Sequence, residues 1–346
     1  MIVKNEARCL ARCLAAIRPV VDELVIVDTG STDGTIEIAQ GFGAKISHFD
    51  WVNDFSAARN FALARATGDW TLVLDADEYA SEALGVEIRE FIQARPAIGR
   101  LKIISDFRRH GLELRSQSFV SRLFPQGVHY QGRIHEQVVS SLLRVNLHGE
   151  LWHDGYLEAN KSGRNIQLLL AELERQPDSP YFLYQLAVEY TSLDQTENAF
   201  RYLQKAFARM GSTDSLAPNI VVDLLYAAME MKNFEVGADA IAKSEKLLED
   251  FPDYYLARGL FYMNLIRSHT AKYIGELPKI EQSFRRCLAL GETDKYKSVR
   301  GSGTFLANYN LGVFYHAFGK TDAARKCFET AAAQGYGPAV AMLKKT

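Results

Sequence analysis

Asp75 and Asp77 stand one residue apart at the end of a short apolar run, Trp70-Thr71-Leu72-Val73-Leu74, and Glu78 follows at once. Carboxylates that close repel each other unless a cation lies between them, and hard oxygen ligands suit Mg2+ or Mn2+. The run reads as a buried parallel strand, and open α/β sheets bind ligands at the carboxyl ends of such strands. A metal holding a diphosphate is the chemistry this pair suits. Asp28 closes a second β-branched run, placing another acid on the same sheet edge. A carboxylate there can accept from a nucleobase N–H or a ribose hydroxyl, or it can cap the turn that follows it. Between the two, Phe55-Ser56-Ala57-Ala58-Arg59-Asn60 sets one arginine on a helix of small and aromatic residues, where it can meet a phosphate or a surface acid.

The elements that must position these residues alternate over the first 155 or so positions. Met1 to Val3 reads as a strand end, Glu6 to Ile17 as a helix and Glu23 to Val27 as a strand. Thr29-Gly30-Ser31-Thr32-Asp33-Gly34 is turn chemistry before a helix from Thr35 to Phe42. Lys45 to Phe49 reads as a third strand and Phe55 to Ala66 as a further helix. This order predicts a mostly parallel sheet with helices on both faces. From Glu158 the pattern turns helical. Leu186, Ala187, Tyr190, Ala199, Leu203 and Ala206 fit a 34-residue helix-turn-helix period, and Leu311, Gly312, Tyr315, Ala324, Phe328 and Ala331 repeat its offsets. Stacked units of that kind bury their small residues against the next helix and form a superhelix with one concave face.

With those segments in hand, the first half resembles the family 2 glycosyltransferases of the GT-A fold. The resemblance runs through Met1-Ile2-Val3-Lys4-Asn5-Glu6, the Val27 to Thr35 turn, the Phe55 to Asn60 helix and Leu74-Asp75-Ala76-Asp77-Glu78. The second half resembles tetratricopeptide repeats, and the combination is similar to the bacterial subgroup that includes sublancin-type peptide S-glycosyltransferases. The fold this implies is an α/β GT-A (nucleotide-diphospho-sugar transferase-like) domain over 1–157. A linking helix over 158–178 and an all-α tetratricopeptide-like superhelix over 179–346 complete it. The family's first strand usually begins several residues before the position of Met1, so either an internal start or a clipped first strand is expected.

The resemblance also implies roles. The function would be metal-dependent, inverting transfer of a hexose or N-acetylhexosamine from a UDP-sugar to a peptide, protein or glycan acceptor. Asp28 would meet the uracil, Arg59 the nucleotide, and Asp75 with Asp77 the ribose and a Mn2+ or Mg2+ on the diphosphate, while Asn5 and Glu6 would approach the nucleoside. Five of the eight histidines lie between residues 110 and 153. His153 is placed like the downstream histidine that completes the metal site in many GT-A enzymes, and imidazole is an acceptable Mn2+ ligand. Inverting transfer needs a base for the acceptor's proton. Glu136, after Gly132-Arg133-Ile134-His135, is the first choice and Asp154 the second. The rival reading is a repeat-based peptide-binding module on a degenerate scaffold, which an intact set of Asp28, Arg59, Asp75 and Asp77 opposes. A sugar nucleotidyltransferase would want a glycine-rich basic loop after the first strand, and Lys4-Asn5-Glu6 offers no glycine.

Composition narrows the partners. A net charge of −2 over 346 residues gives no global argument for nucleic acid or a membrane surface. Locally, ten Lys or Arg face four acids between Arg89 and Arg144, which reads as a basic wall toward an anionic substrate or as a solvated face. The four cysteines lack metal-ligand spacing and suit a reducing compartment. Without an apolar run of membrane-spanning length or a signal-peptide pattern, a cytoplasmic protein is expected, with a homodimer through the helical repeats as a further possibility.

Overall fold

The computed structural model describes residues 1–94, 96–109, 112–153 and 162–345. It divides into two compact units, Met1–Asn160 and Lys161–Thr346.

The first unit opens with β1 (Ile2–Val3), α1 (Leu10–Ile17), β2 (Val25–Asp28), α2 (Thr35–Gly41) and β3 (Lys45–His48). α1 buries Leu10, Cys13, Leu14 and Ile17, the spacing of one helical face. β1, β2 and β3 pair in parallel, with Val3 opposite Asp28 and Asp28 opposite His48. Next come α3 (Phe55–Leu63), β4 (Trp70–Leu72), β5 (Glu78–Ala80) and α4 (Glu82–Phe91). α3 starts where Asp54 accepts the Ala57 N–H, and α4 where Ser81 accepts that of Leu84. The rest is β6 (Ile98–Arg109), β7 (Leu112–Pro125), β8 (His129–Gln131), β9 (Gln137–Val139) and β10 (Arg144–His153).

The sheet departs from expectation at the strand that leads into the acids. β4 spans three residues, and its ladder runs antiparallel to β7, with Thr71 opposite Phe124. β6 and β7 form a long hairpin, so the returning strand meets β4 head to tail. Only β1 to β3 form the expected parallel arrangement; the larger sheet is mixed, with β6 parallel to β10 and β10 antiparallel to β5. Its core joins Leu101, Ile103, Leu123, Leu147 and Leu151 to Leu74, Leu84 and Ile88.

The second unit is helical: α5 (Ser162–Arg175), α6 (Pro180–Ser192), α7 (Thr196–Arg209), α8 (Ala217–Glu230), α9 (Phe234–Ser244) and α10 (Pro252–Ser268). A short α11 (Thr270–Tyr273) precedes α12 (Leu277–Leu290), α13 (Phe305–Ala317), α14 (Thr321–Ala333) and α15 (Gly337–Leu343). Small residues meet rings where helices cross. A Cβ on Gly312 would lie 2.7 Å from the Phe328 ring, and one on Gly259 would lie 2.5 Å from that of Phe284. Only glycine permits that approach. No helix among the described residues is long and apolar enough to cross a membrane.

Candidate active site

β4 ends in a tight turn, and the turn's acids are divided between different partners. Asp75 accepts from Arg59 Nη2 at 2.9 Å and from Arg122 Nη2 at 2.7 Å. Arg122 Nη2 also reaches Glu78 Oε1 at 2.7 Å, and Glu78 Oε2 accepts the Asp75 N–H at 2.8 Å. Asp77 faces another way, toward His153, whose Nε2 stands 3.5 Å from Asp77 Oδ2. His153 sits at the end of β10 opposite Glu78 on one side and Ser105 on the other, and Ser105 Oγ is 3.4 Å from its Nδ1.

Electrostatics separates these acids. Burial opposes the charge on Asp75, yet Arg122 and then Arg59 hold its carboxyl well below the ordinary range. Glu78 is 1% exposed, and there burial prevails over Arg122, so its carboxyl is pushed up. For His153, burial works against the imidazolium, but the hydrogen bond and charge of Asp77, with Glu78 and Asp75 beyond, raise its pKa above the usual value.

The arginine expected to meet the nucleotide bonds two carboxylates. α3 carries Arg59 into the interior, where Nε bonds Glu136 and Nη2 bonds Asp75. Its neighbour Asn60 has a different task, exchanging hydrogen bonds with the Tyr130 backbone at 2.8 and 2.9 Å and so fixing β8 against α3. Glu136, the first choice for the base, thus has Oε1 engaged by Arg59. Asp154 lies outside the described residues.

Asp28 is 6% exposed and accepts the N–H groups of Gly30 and Ser31 at 3.0 to 3.2 Å. Burial would raise its pKa, but the Ser31 hydroxyl and these amides together hold it below the usual value. His48 Nδ1 lies 3.5 Å away, at the end of β3. Asn5, at φ 56°, closes the first loop onto the turn: its Oδ1 accepts the Thr32 N–H at 2.7 Å, while the Glu6 N–H goes to Thr35 Oγ1 at 2.8 Å. These two residues therefore shape the loop beside Asp28. The basic excess does not form one wall. Arg108 pairs with Glu113, Arg115 with Asp106, and Arg122 enters the acidic cluster.

The contact between His153 and Asp77 is an ion pair here, and its length is also that of two ligands on one divalent cation. Two ligands of one cation at roughly 2.1 Å each would stand about 3 to 3.5 Å apart, as His153 Nε2 and Asp77 Oδ2 do. Behind that pair, Asp75, Glu78 and Glu136 are set against the guanidinium groups of Arg59 and Arg122. Among the described residues no set of three or more His, Cys, Asp or Glu side chains could hold a metal ion.

Residues 1–147 match the model of glycosyl transferase family 2. A TPR repeat-containing protein of Synechococcus elongatus is 32% identical over 84% of this chain and 74% of its own. The SPbeta prophage-derived glycosyltransferase SunS of Bacillus subtilis is 30% identical over 60% of this chain and 52% of its own, so the match spans about half of SunS. An uncharacterized glycosyltransferase of Rickettsia felis is 40% identical over 27% of the chain and 32% of its own. The chain belongs to glycosyl transferase family 2. It is a glycosyltransferase with an N-terminal α/β unit and a tetratricopeptide-like helical unit.

Within this glycosyltransferase, sequence reading missed Arg122 and Ser105. Arg122 occupies a strand position in an apolar stretch, Phe119 to Phe124, and nothing local marks it as a partner of residues 47 and 44 positions earlier. The signal available was a lone charge in that stretch. Ser105 is a common residue in a strand, and only the register of β6 against β10 gives it a neighbour worth naming.

Proposed function

We propose that the protein moves a hexose or N-acetylhexosamine from a UDP-sugar to a peptide, protein or glycan acceptor, with inversion and with Mn2+ or Mg2+. The observation that carries this reading is the approach of His153 Nε2 to Asp77 Oδ2 beside an acid, Asp75, that two arginines keep ionised. Asp77 and His153 would hold the cation, which when bound supplies Lewis-acid stabilisation of the departing diphosphate. Asp75, with 33% of its side-chain surface exposed, would accept from the ribose, oriented by Arg59. Asp28 and the loop built by Asn5 and Glu6 would frame the base. Glu136 or Asp154 would take the acceptor's proton, Glu136 with the oxygen that Arg59 leaves available.

The helical unit would present the acceptor on its concave face or pair two copies of the chain, and a cytoplasmic setting suits the free thiols. UDP release from a panel of UDP-sugars, with Mn2+ and with EDTA, tests the donor half. Release should depend on the cation, and Asp77→Asn should lower kcat/KM about a hundredfold or more, of the order expected for removing a directed electrostatic contact. Full turnover in EDTA, or wild-type kinetics in Asp77→Asn, would overturn the reading.

A further inference from the structure

Arg122 is 9% exposed, and its place in the sheet is irregular. β6 pairs Gly99 with Leu123 and Arg100 with Ser121, so Arg122 has no opposite residue: it is the extra residue of a bulge. Bulges re-aim a side chain, and they recur beside active sites for that reason. Here the re-aimed guanidinium lies between two acids of the turn after β4, one nitrogen bonding both Asp75 and Glu78 at 2.7 Å. The backbone of the same residue anchors the strand that leads into the turn, since Arg122 O accepts the Val73 N–H at 2.8 Å. Side chain and main chain of one residue thus fix both ends of the 73–78 segment.

We propose that Arg122 is a positioning residue for the donor site: by holding Asp75 and Glu78 together on one side of the turn, it fixes Asp77 toward His153. This rests on the reading of Asp77 and His153 as the cation's ligands. Arg122 is the group that ties Asp75 to Glu78, and without it Arg59 still holds Asp75 but the tie across the turn is gone and the 3.5 Å approach of Asp77 to His153 loosens. Lysine cannot substitute, because an ammonium on a flexible stem lacks the planar guanidinium that the bulge aims at both acids. Arg122 bonds Asp75 and Glu78, so in this reading its effect passes through the turn to Asp77.

The test compares wild type, Arg122→Lys, Asp77→Asn and the double variant, measuring Mn2+ and UDP binding by calorimetry alongside thermal unfolding. Arg122→Lys should remain folded, bind Mn2+ with UDP about ten- to a hundredfold more weakly, and lose kcat/KM mainly through KM. In the Asp77→Asn background the Lys substitution should add little, because both changes act on one ligand. A folded Arg122→Lys with wild-type Mn2+ and UDP affinity overturns the inference alone, as does a fully additive double variant. A wild type that binds neither Mn2+ nor UDP overturns the donor reading and the inference with it.

Discussion

Asp75, half-buried, and Asp253, buried, are acids that folding draws away from water, one in each unit, and they end in opposite states. Asp75 has two arginines and stays ionised far into acid. Asp253, 4% exposed near the start of α10, accepts from neutral donors, among them the Ser298 hydroxyl and the Val299 N–H, both at 2.7 Å. Burial pushes its pKa up to about 7. Removing a carboxylate from water costs several kcal/mol unless a countercharge answers it, and hydrogen bonds from neutral groups answer only part. The α/β unit therefore bears the expense of a charged interior where the site calls for charge. In the helical unit an acid that can go neutral ties the 291–304 segment to α10.

The largest effect should come from stripping the countercharge. Arg59→Met takes one countercharge from Asp75 and the bonded guanidinium from Glu136. Breaking a buried ion pair on one side costs about 3–5 kcal/mol, because the partner's charge stays behind. Urea unfolding should show that loss, and a change below about 1 kcal/mol would erase the contrast between the two acids. The Asp253 side tests the same idea through protons. Between the ordinary carboxylate pKa and about 7 the folded chain keeps the Asp253 proton while the unfolded chain has released it. The unfolded state then binds fewer protons, so stability falls as pH rises across that window. At about 1.4 kcal/mol per pH unit, acidification from pH 7.5 to 5.5 should stabilise this region by about 1–3 kcal/mol. Hydrogen exchange across 291–304 would read it, and the gain should vanish in Asp253→Asn. An equal gain in that variant would assign the pH dependence to other groups.

The same contrast explains what could be read from the chain. α2, β3 and α3 begin where turn chemistry and apolar spacing place them, because caps and periodicity are local properties. Asp77 stood out by its place beside Asp75 after an apolar run, and His153 through the family resemblance. The antiparallel partner of β4 did not, since Thr71 and Phe124 lie 53 positions apart and the hairpin that joins them has its own register. Nor did the division of labour inside Phe55 to Asn60, where Arg59 answers Glu136 across 77 residues while Asn60 holds a strand. Countercharges around a site are assembled from distant segments. Their absence around Asp253 is equally invisible in Pro252-Asp253-Tyr254, which reads only as a helix start.

The smallest effect sharpens the comparison most, because it removes a neutral hydroxyl from each region. Ser105 Oγ lies 3.4 Å from His153 Nδ1, a long contact, whereas Ser298 Oγ lies 2.7 Å from Asp253. If countercharge governs the first region, Asp77, Glu78 and Asp75 should maintain the raised pKa of His153 when the hydroxyl is gone. Ser105→Ala should then weaken Mn2+ binding by no more than about tenfold, at the low end for a ligand's outer partner. Ser298→Ala should cost about 1 kcal/mol and raise the Asp253 pKa further, since one of its few donors is lost. Calorimetry on the first variant and the pH dependence of exchange on the second give the two numbers. A larger penalty at Ser105 than at Ser298 would mean that the imidazole depends on its hydroxyl neighbour more than on the acids around it. The charged network would then stabilise the turn after β4 without setting the state of the histidine.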